Sequence, residues 1–200
     1  MADQKISAMP AATTPLTGAE LVPLVQGGAN VKSTVALFGQ YARTNYFNHG
    51  AFQDTTTQTG SITAGTPFTF NTVDVVDGVT LVSGSRLTVP LDGVYNIQWS
   101  GQFQNPENTI EEVRVWIRVD GVDVIGSSGV IALPARKNPS ILGRVIIGWN
   151  YFLSLTAGQY VQLVWLPSTA TVTVPAIPGS AVTPVYPSTA SIICTVNQVG

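Results

Sequence analysis

Gly93-Val94-Tyr95-Asn96-Ile97-Gln98-Trp99-Ser100-Gly101-Gln102-Phe103 alternates without a break. Successive side chains of a strand point to opposite faces, so Tyr95, Ile97, Trp99 and Phe103 share one side and Asn96, Gln98, Ser100 and Gln102 the other. The apolar side predicts a core. The other side carries amides and hydroxyls where a solvated face usually carries Lys and Glu. A row of uncharged polar groups suits a surface that is wet but crowded, as between subunits. This strand therefore predicts an all-β protein that works in an assembly, and it argues against catalysis.

Composition points the same way. Charged residues are 10% of the 200, against about 25% in an average soluble domain. Hydrophobic residues are 44% and the mean hydropathy is +0.26. No apolar run approaches the roughly 18–20 residues of a spanning helix, so the excess is expected to be covered by other protein. The first 30 residues show no basic segment followed by an apolar one, and no export signal is expected. A net charge of −2 leaves no electrostatic footprint for nucleic acid. One cysteine, Cys194, excludes an internal disulfide and a cysteine cluster, and one histidine, His49, excludes a multi-histidine metal site.

Along the chain, residues 1–45 differ from the rest, and the boundary between two parts is placed at 1–49 and 50–200. Met9 to Gly18 is small, polar and proline-bearing and cannot bury enough area to fold alone. Glu20-Leu21-Val22-Pro23-Leu24-Val25-Gln26 reads as a short extended segment before a Gly27-Gly28 turn. Val31 to Val35 reads as a short strand, and Thr34 is positioned to cap a brief helix through Tyr41. The region is read as an arm that orders on a partner, with a disordered tail as the alternative. From Gly50 onward, strands are expected over 52–58, 66–70, 79–82, 86–89, 93–103, 112–119, 122–125, 143–155, 159–166 and 189–198. Asp120-Gly121 predicts a tight hairpin turn. About ten short strands without a helical period read as a β-sandwich or jelly roll. Pro167 to Pro187, with Val172-Thr173-Val174 inside it, reads as a long loop or an edge strand.

Three segments in order carry a resemblance. Gly93-Val94-Tyr95-Asn96-Ile97 looks like the Gly-x-Tyr strand of complement globular-head and tumour-necrosis-factor-like domains. Val113 to Gly121 resembles the following strand and its hairpin. Leu153-Ser154-Leu155-Thr156-Ala157-Gly158-Gln159-Tyr160-Val161-Gln162-Leu163 is similar to the Leu-x-x-Gly-Asp-x-Val-x-Leu pattern, with Gln159 in place of Asp. The resemblance implies a ten-stranded jelly-roll sandwich forming a homotrimer, here with an extended N-terminal arm. A second resemblance lies in Ile6 to Gly27, which looks like the attachment segment of many tailed-bacteriophage virion proteins; Phe52 to Thr59 and Trp149 to Leu153 also resemble phage structural proteins. Together they imply a non-enzymatic virion protein: an attachment arm over 1–49 and a trimeric knob over 50–200. Such proteins occur on heads and on tails. The short chain, with no heptads, collagen-like repeat or β-helix period, favours capsid decoration over a tail fibre tip. The expected partners are two further copies, other capsid or tail proteins, and in the alternative a host surface glycan or receptor. Neither nucleic acid, membrane nor cofactor is expected.

Leu16, Leu21, Val22, Leu24 and Val25 are the candidate attachment residues. Asn96 and Gln98, with Arg114, Trp116 and Arg118, are candidate trimer or ligand contacts; Arg packs over Trp, either on a ligand or across an interface. In the receptor-binding alternative, loops 104–112, 126–140 and 167–187 form the site, with Trp116 and Trp165 as candidates. No catalytic residue or metal ligand is predicted. Glu111 and Glu112 are strand neighbours and face opposite ways. Asp74, Asp77, Asp120 and Asp123 match no calcium loop, and the last two suit turns. Gly126-Ser127-Ser128-Gly129 lacks the spacing of a nucleophile turn and reads as a loop. Cys194 alternates with Ile192 and Val196 as a core residue would.

Overall fold

A computed structural model describes residues 16–200. The first 15 residues of the expected arm, with the first ten of its attachment-like stretch Ile6 to Gly27, lie outside the described residues. Contacts divide the chain between Asn45 and Tyr46 into two units.

The first unit is a hairpin of β1 (Leu21–Gln26) and β2 (Ala29–Thr34) joined at Gly27-Gly28, followed by helix α1 (Val35–Tyr46). The arm is thus not extended over its described part. Thr34 Oγ1 accepts the Leu37 amide at 3.2 Å, the cap that its hydroxyl predicts. At the start of the unit, Glu20 accepts the Thr17 amide, the Thr17 hydroxyl and the Gly18 amide at 2.7, 2.7 and 2.8 Å. These bonds hold its carboxyl down at about 2.

The second unit is all-β. Its strands are β3 (His49–Asp54), β4 (Gln58–Thr59), β5 (Thr66–Pro67), β6 (Thr72–Asp77), β7 (Thr80–Val82), β8 (Arg86–Thr88) and β9 (Gly93–Asn105). There follow β10 (Glu111–Val119), β11 (Val122–Asp123), β12 (Gly129–Leu133), β13 (Gly143–Leu155), β14 (Tyr160–Pro167), β15 (Thr173–Val174) and β16 (Ile192–Gln198). Ten expected strands are met by fourteen segments, six of them two or three residues long. Two were not foreseen: β6 and β12, the latter inside the expected loop 126–140. Thr173-Val174 is no edge strand, since it bridges β4 and β9.

All pairings are antiparallel and form two seven-stranded sheets. In the front sheet β13 runs along the whole of one side of β9, from Gly93 to Asn105. β16 and then β15 occupy the other side, β3 pairs with β16, and β6 pairs with β3. The row is β13-β9-β16-β3-β6. In the back sheet β10 lies between β14 and the pair β11 and β12; β8 and β5 flank the far side of β14, and β7 ends the row. Asp120-Gly121 turns β10 into β11 with φ of 48° and 82°, a left-handed pair that Asp and Gly tolerate.

The inward faces share one core. The alternation in β9 is realised in full: Tyr95, Ile97, Trp99, Gly101 and Phe103 are buried, and Asn96, Gln98, Ser100 and Gln102 are not. Phe68 links the sheets, its ring stacked on Trp165 of the back sheet at 5.6 Å and tilted against Trp99 of the front sheet at 6.2 Å. Cys194 lies in the same cluster, and burial pushes its thiol well above the ordinary range.

The register also gives the sandwich two poles. Asn48, Leu91-Asp92 and Gly200 meet at one, through Asn48–Gln198, Gln198–Asp92 and Val94–Gly200 hydrogen bonds. Loops 106–110, 134–142 and 168–190 gather at the other, where Asn105 donates to Thr109 and Pro134 and Thr173 pairs with Gln104.

Candidate interaction surfaces

The outward face of the front sheet is built from rows fixed by the register. Phe152, Asn96, Asn197 and His49 form one; Asn150, Gln98, Thr195 and Ala51 the next; Gly148, Ser100, Ile193 and Gln53 the third. On β13, β9 and β16 this face carries no charge except Arg144, which donates to Gln104 at the far end. It carries apolar side chains instead: Ile146 is 68% exposed, Phe152 61% and Ile193 45%. The small residues Ser100 and Gly148 leave an open groove of about 820 Å³, bordered by Gln98, Asn150, Ile193 and Thr195. Asn96 is half-buried, and its Oδ1 is shielded without a partner among the described residues. An orphan acceptor of this kind costs about 1–3 kcal/mol.

Arg114, Trp116 and Arg118 do share a face, as the strand parity predicts, but it is the outward face of the back sheet. The structure therefore separates them from Asn96 and Gln98. Trp116 Nε1 and Arg118 Nε both donate to Asp123 Oδ1, at 2.7 and 2.8 Å. Arg118 first and Trp116 second hold that carboxyl below the usual range. The Trp116 ring lies so close over Gly65 that a Cβ there would stand 2.3 Å from it. Trp116 is thus pinned between a loop and a carboxylate, while Arg114 is exposed. Arg86 lies over the Tyr160 ring at 4.7 Å on the same sheet. Trp165, a candidate for ligand stacking, is fully buried in the core and cannot serve.

The candidate attachment residues split as well. Leu16, Leu21 and Val25 are 50, 58 and 68% exposed, whereas Val22 and Leu24 alternate with them and are half-buried. None of residues 16–41 is buried. Leu37, Phe38 and Tyr41 of α1 are exposed, and they border a groove of about 510 Å³ with Leu24, Val31 and Lys32 of the hairpin.

The groups that could carry chemistry are dispersed. Glu111 accepts from Thr109 and Ser168, while Glu112 faces the other way. Asp74 accepts from Gln53 on the front sheet, and Asp120 accepts the Tyr160 amide on the back sheet. His49 Nδ1 lies 2.8 Å from the Phe47 carbonyl. Ser127 accepts the Ile117 amide and donates to Val124. Among the described residues no group of three or more His, Cys, Asp or Glu is placed to hold a metal ion, and no helix is long and apolar enough to cross a membrane.

Sequence reasoning found the polar row of β9 but not its neighbours Phe152, Ile193, Thr195 and Asn197. A signal for them exists: from Val145 to Gly200 the chain has no charged residue, and this stretch supplies β13 and β16. No protein-family model matches the chain, and no curated protein matches it in sequence.

Proposed function

We propose that this chain is a non-enzymatic structural protein of a tailed-phage virion, a homotrimeric knob that decorates the capsid surface and is anchored by its N-terminal unit. One observation carries the reading: the back outward face is charged, whereas on the front the strands β13, β9 and β16 carry no charge but Arg144, and the carboxylates Asp74 and Asp77 are confined to the edge strand β6. Glu112, Arg114, Arg118 and Arg86 lie on the back; amides, hydroxyls and exposed apolar groups lie on the front. Like charges facing each other across a symmetry axis are costly, so a face that meets its own copies is best built without them. Core positions of interfaces are depleted in charge for the same reason.

The strand order supports the jelly-roll form. The rows β13-β9-β16-β3 and β12-β10-β14-β8, with β6 beside β3 and β7 beside β8, match a ten-stranded sandwich whose chain crosses repeatedly between sheets. The N-terminal unit, with no buried residue among 16–41, supports a segment that becomes stable only on a partner. Light scattering at micromolar concentration is expected to give three times 21.1 kDa. A clean monomer would end the trimer reading. Tracing residues 16–46 in a particle map is expected to put them on the capsid shell; density at a tail tip would reassign the location.

A receptor-binding tip is the second reading. It is favoured by the loops gathered at the pole opposite Asn48, where Ile177–Thr189 and Ser180–Tyr186 bridges raise a hairpin with Val182 76% and Val185 73% exposed. Loss of host adsorption after Val182→Asp with Val185→Asp, in particles of unchanged protein content, would select it.

A further inference from the structure

Among its described residues the N-terminal unit has exposed apolar groups and no buried one. On α1, Tyr41 lies four residues after Leu37 and three after Phe38, which places it beside both along one helical stripe. Leu37, Phe38 and Tyr41 are 55, 46 and 65% exposed. A 12-residue helix and a two-stranded hairpin are each marginal alone, and together they bury no residue between 16 and 41. Something must cover this stripe for the unit to persist.

We infer that the cover is the same stripe of neighbouring copies, so that three N-terminal units close a shared apolar seam of their own. This rests on the homotrimer proposed above. Two observations select a second copy over a foreign protein. Only Phe47 and Asn48 separate α1 from β3, so a trimer of the second units holds three helices on very short tethers. Short tethers raise the effective concentration to the millimolar range, which a separate partner must match by its own affinity. The helix is also uncharged from Val35 to Ala42, its one charged residue being Arg43 beyond the stripe, so the stripe itself brings no like charges together. Lys32, the charged residue that borders the groove, sits on the hairpin. Leu21 and Val25 then remain available to the particle.

The test uses the full chain. Cys194 is buried and is its only cysteine, so a Phe38→Cys variant adds a single reactive thiol. Under a mild oxidant, chains linked in pairs are expected on a denaturing gel, reaching about two-thirds of the total because one disulfide joins two of three copies. A trimer by light scattering that forms no more linked chains than an Ile125→Cys variant, whose site is fully exposed in the second unit, overturns the seam and leaves the trimer standing. A monomer overturns both. Amide exchange of the unmodified trimer guards against a variant that fails to fold: residues 38–41 are expected to be protected, and exchange at the free-peptide rate overturns the seam.

Discussion

At the scale of single residues, Trp99 decides most. It projects from the centre of β9 into the core, is 2% exposed and meets Phe68. Its indole N–H has no partner among the described residues. Truncation to Ala removes a large buried ring, and about 3–5 kcal/mol of stability is expected to go with it. Trp99→Phe keeps an aromatic against Phe68 and removes the orphan donor, so it is expected to cost clearly less. Denaturant midpoints at one protein concentration compare the two, since an oligomer's midpoint moves with concentration; equal losses would show that the orphan N–H is of no consequence. Cys194 gives a second test. Its buried thiol, held far above the ordinary range, is expected not to react with a thiol reagent in the native protein at pH 8, and to titrate as one per chain in guanidinium. Both residues were legible in the sequence because each sits in an unbroken two-residue period. Trp165 was not. It lies in β14, where Val161 to Trp165 are all buried, because Trp116 and the Gly65 loop cover the outward side at Val164. A strand buried on both faces carries no alternation to say which side is which.

At the scale of elements, the same physics explains what else the sequence hid. Every residue of β6 after Thr72 is exposed, Val73, Val75 and Val76 included, and a bulge at Asp74 breaks its two-residue period, so this edge strand has no buried face to betray it. β12 follows Gly126-Ser127-Ser128-Gly129, which looks like pure loop. Ser127 in fact ties that turn to β10 and lets the chain return as a strand. Conversely β9, β10 and β13 were legible to within one or two residues, since each is long and sided. The two outward faces make opposite predictions. Gln98→Glu puts a carboxylate in the middle of the uncharged face, where assembly would bury it among copies of itself. The single chain is expected to fold as before, because Gln98 is exposed, but dissociation of the trimer is expected to rise at least tenfold, about 1.4 kcal/mol or more. Arg114→Glu, a larger charge change on the back sheet, is expected to leave assembly unchanged. Dilution series by light scattering or sedimentation read both; equal effects would disconnect the front face from assembly.

At the scale of the molecule, the composition changes after residue 45 and the expected domain boundary lies at 49, while the contacts divide the chain after Asn45, four residues before that boundary. The difference is physical. The expected boundary was set where strand-like sequence begins, whereas Tyr46 to Asn48 already belong to the second unit: Asn48 hydrogen-bonds Gln198 through both side chain and backbone. That bond pattern also says where to cut. The second unit has a closed core of its own, to which no described residue before Phe52 contributes. Removing residues 1–45 is therefore expected to leave a folded protein, with a thermal midpoint within a few degrees of the full chain, that still assembles through its uncharged face. What it is expected to lose is attachment, because Leu21 and Val25 go with the deletion. Adding truncated and full-length protein to particles that lack it, then separating bound from free by sedimentation, measures this directly. Equal binding would move attachment to the sandwich, and the exposed hairpin around Val182 and Val185 would be the first surface to mutate.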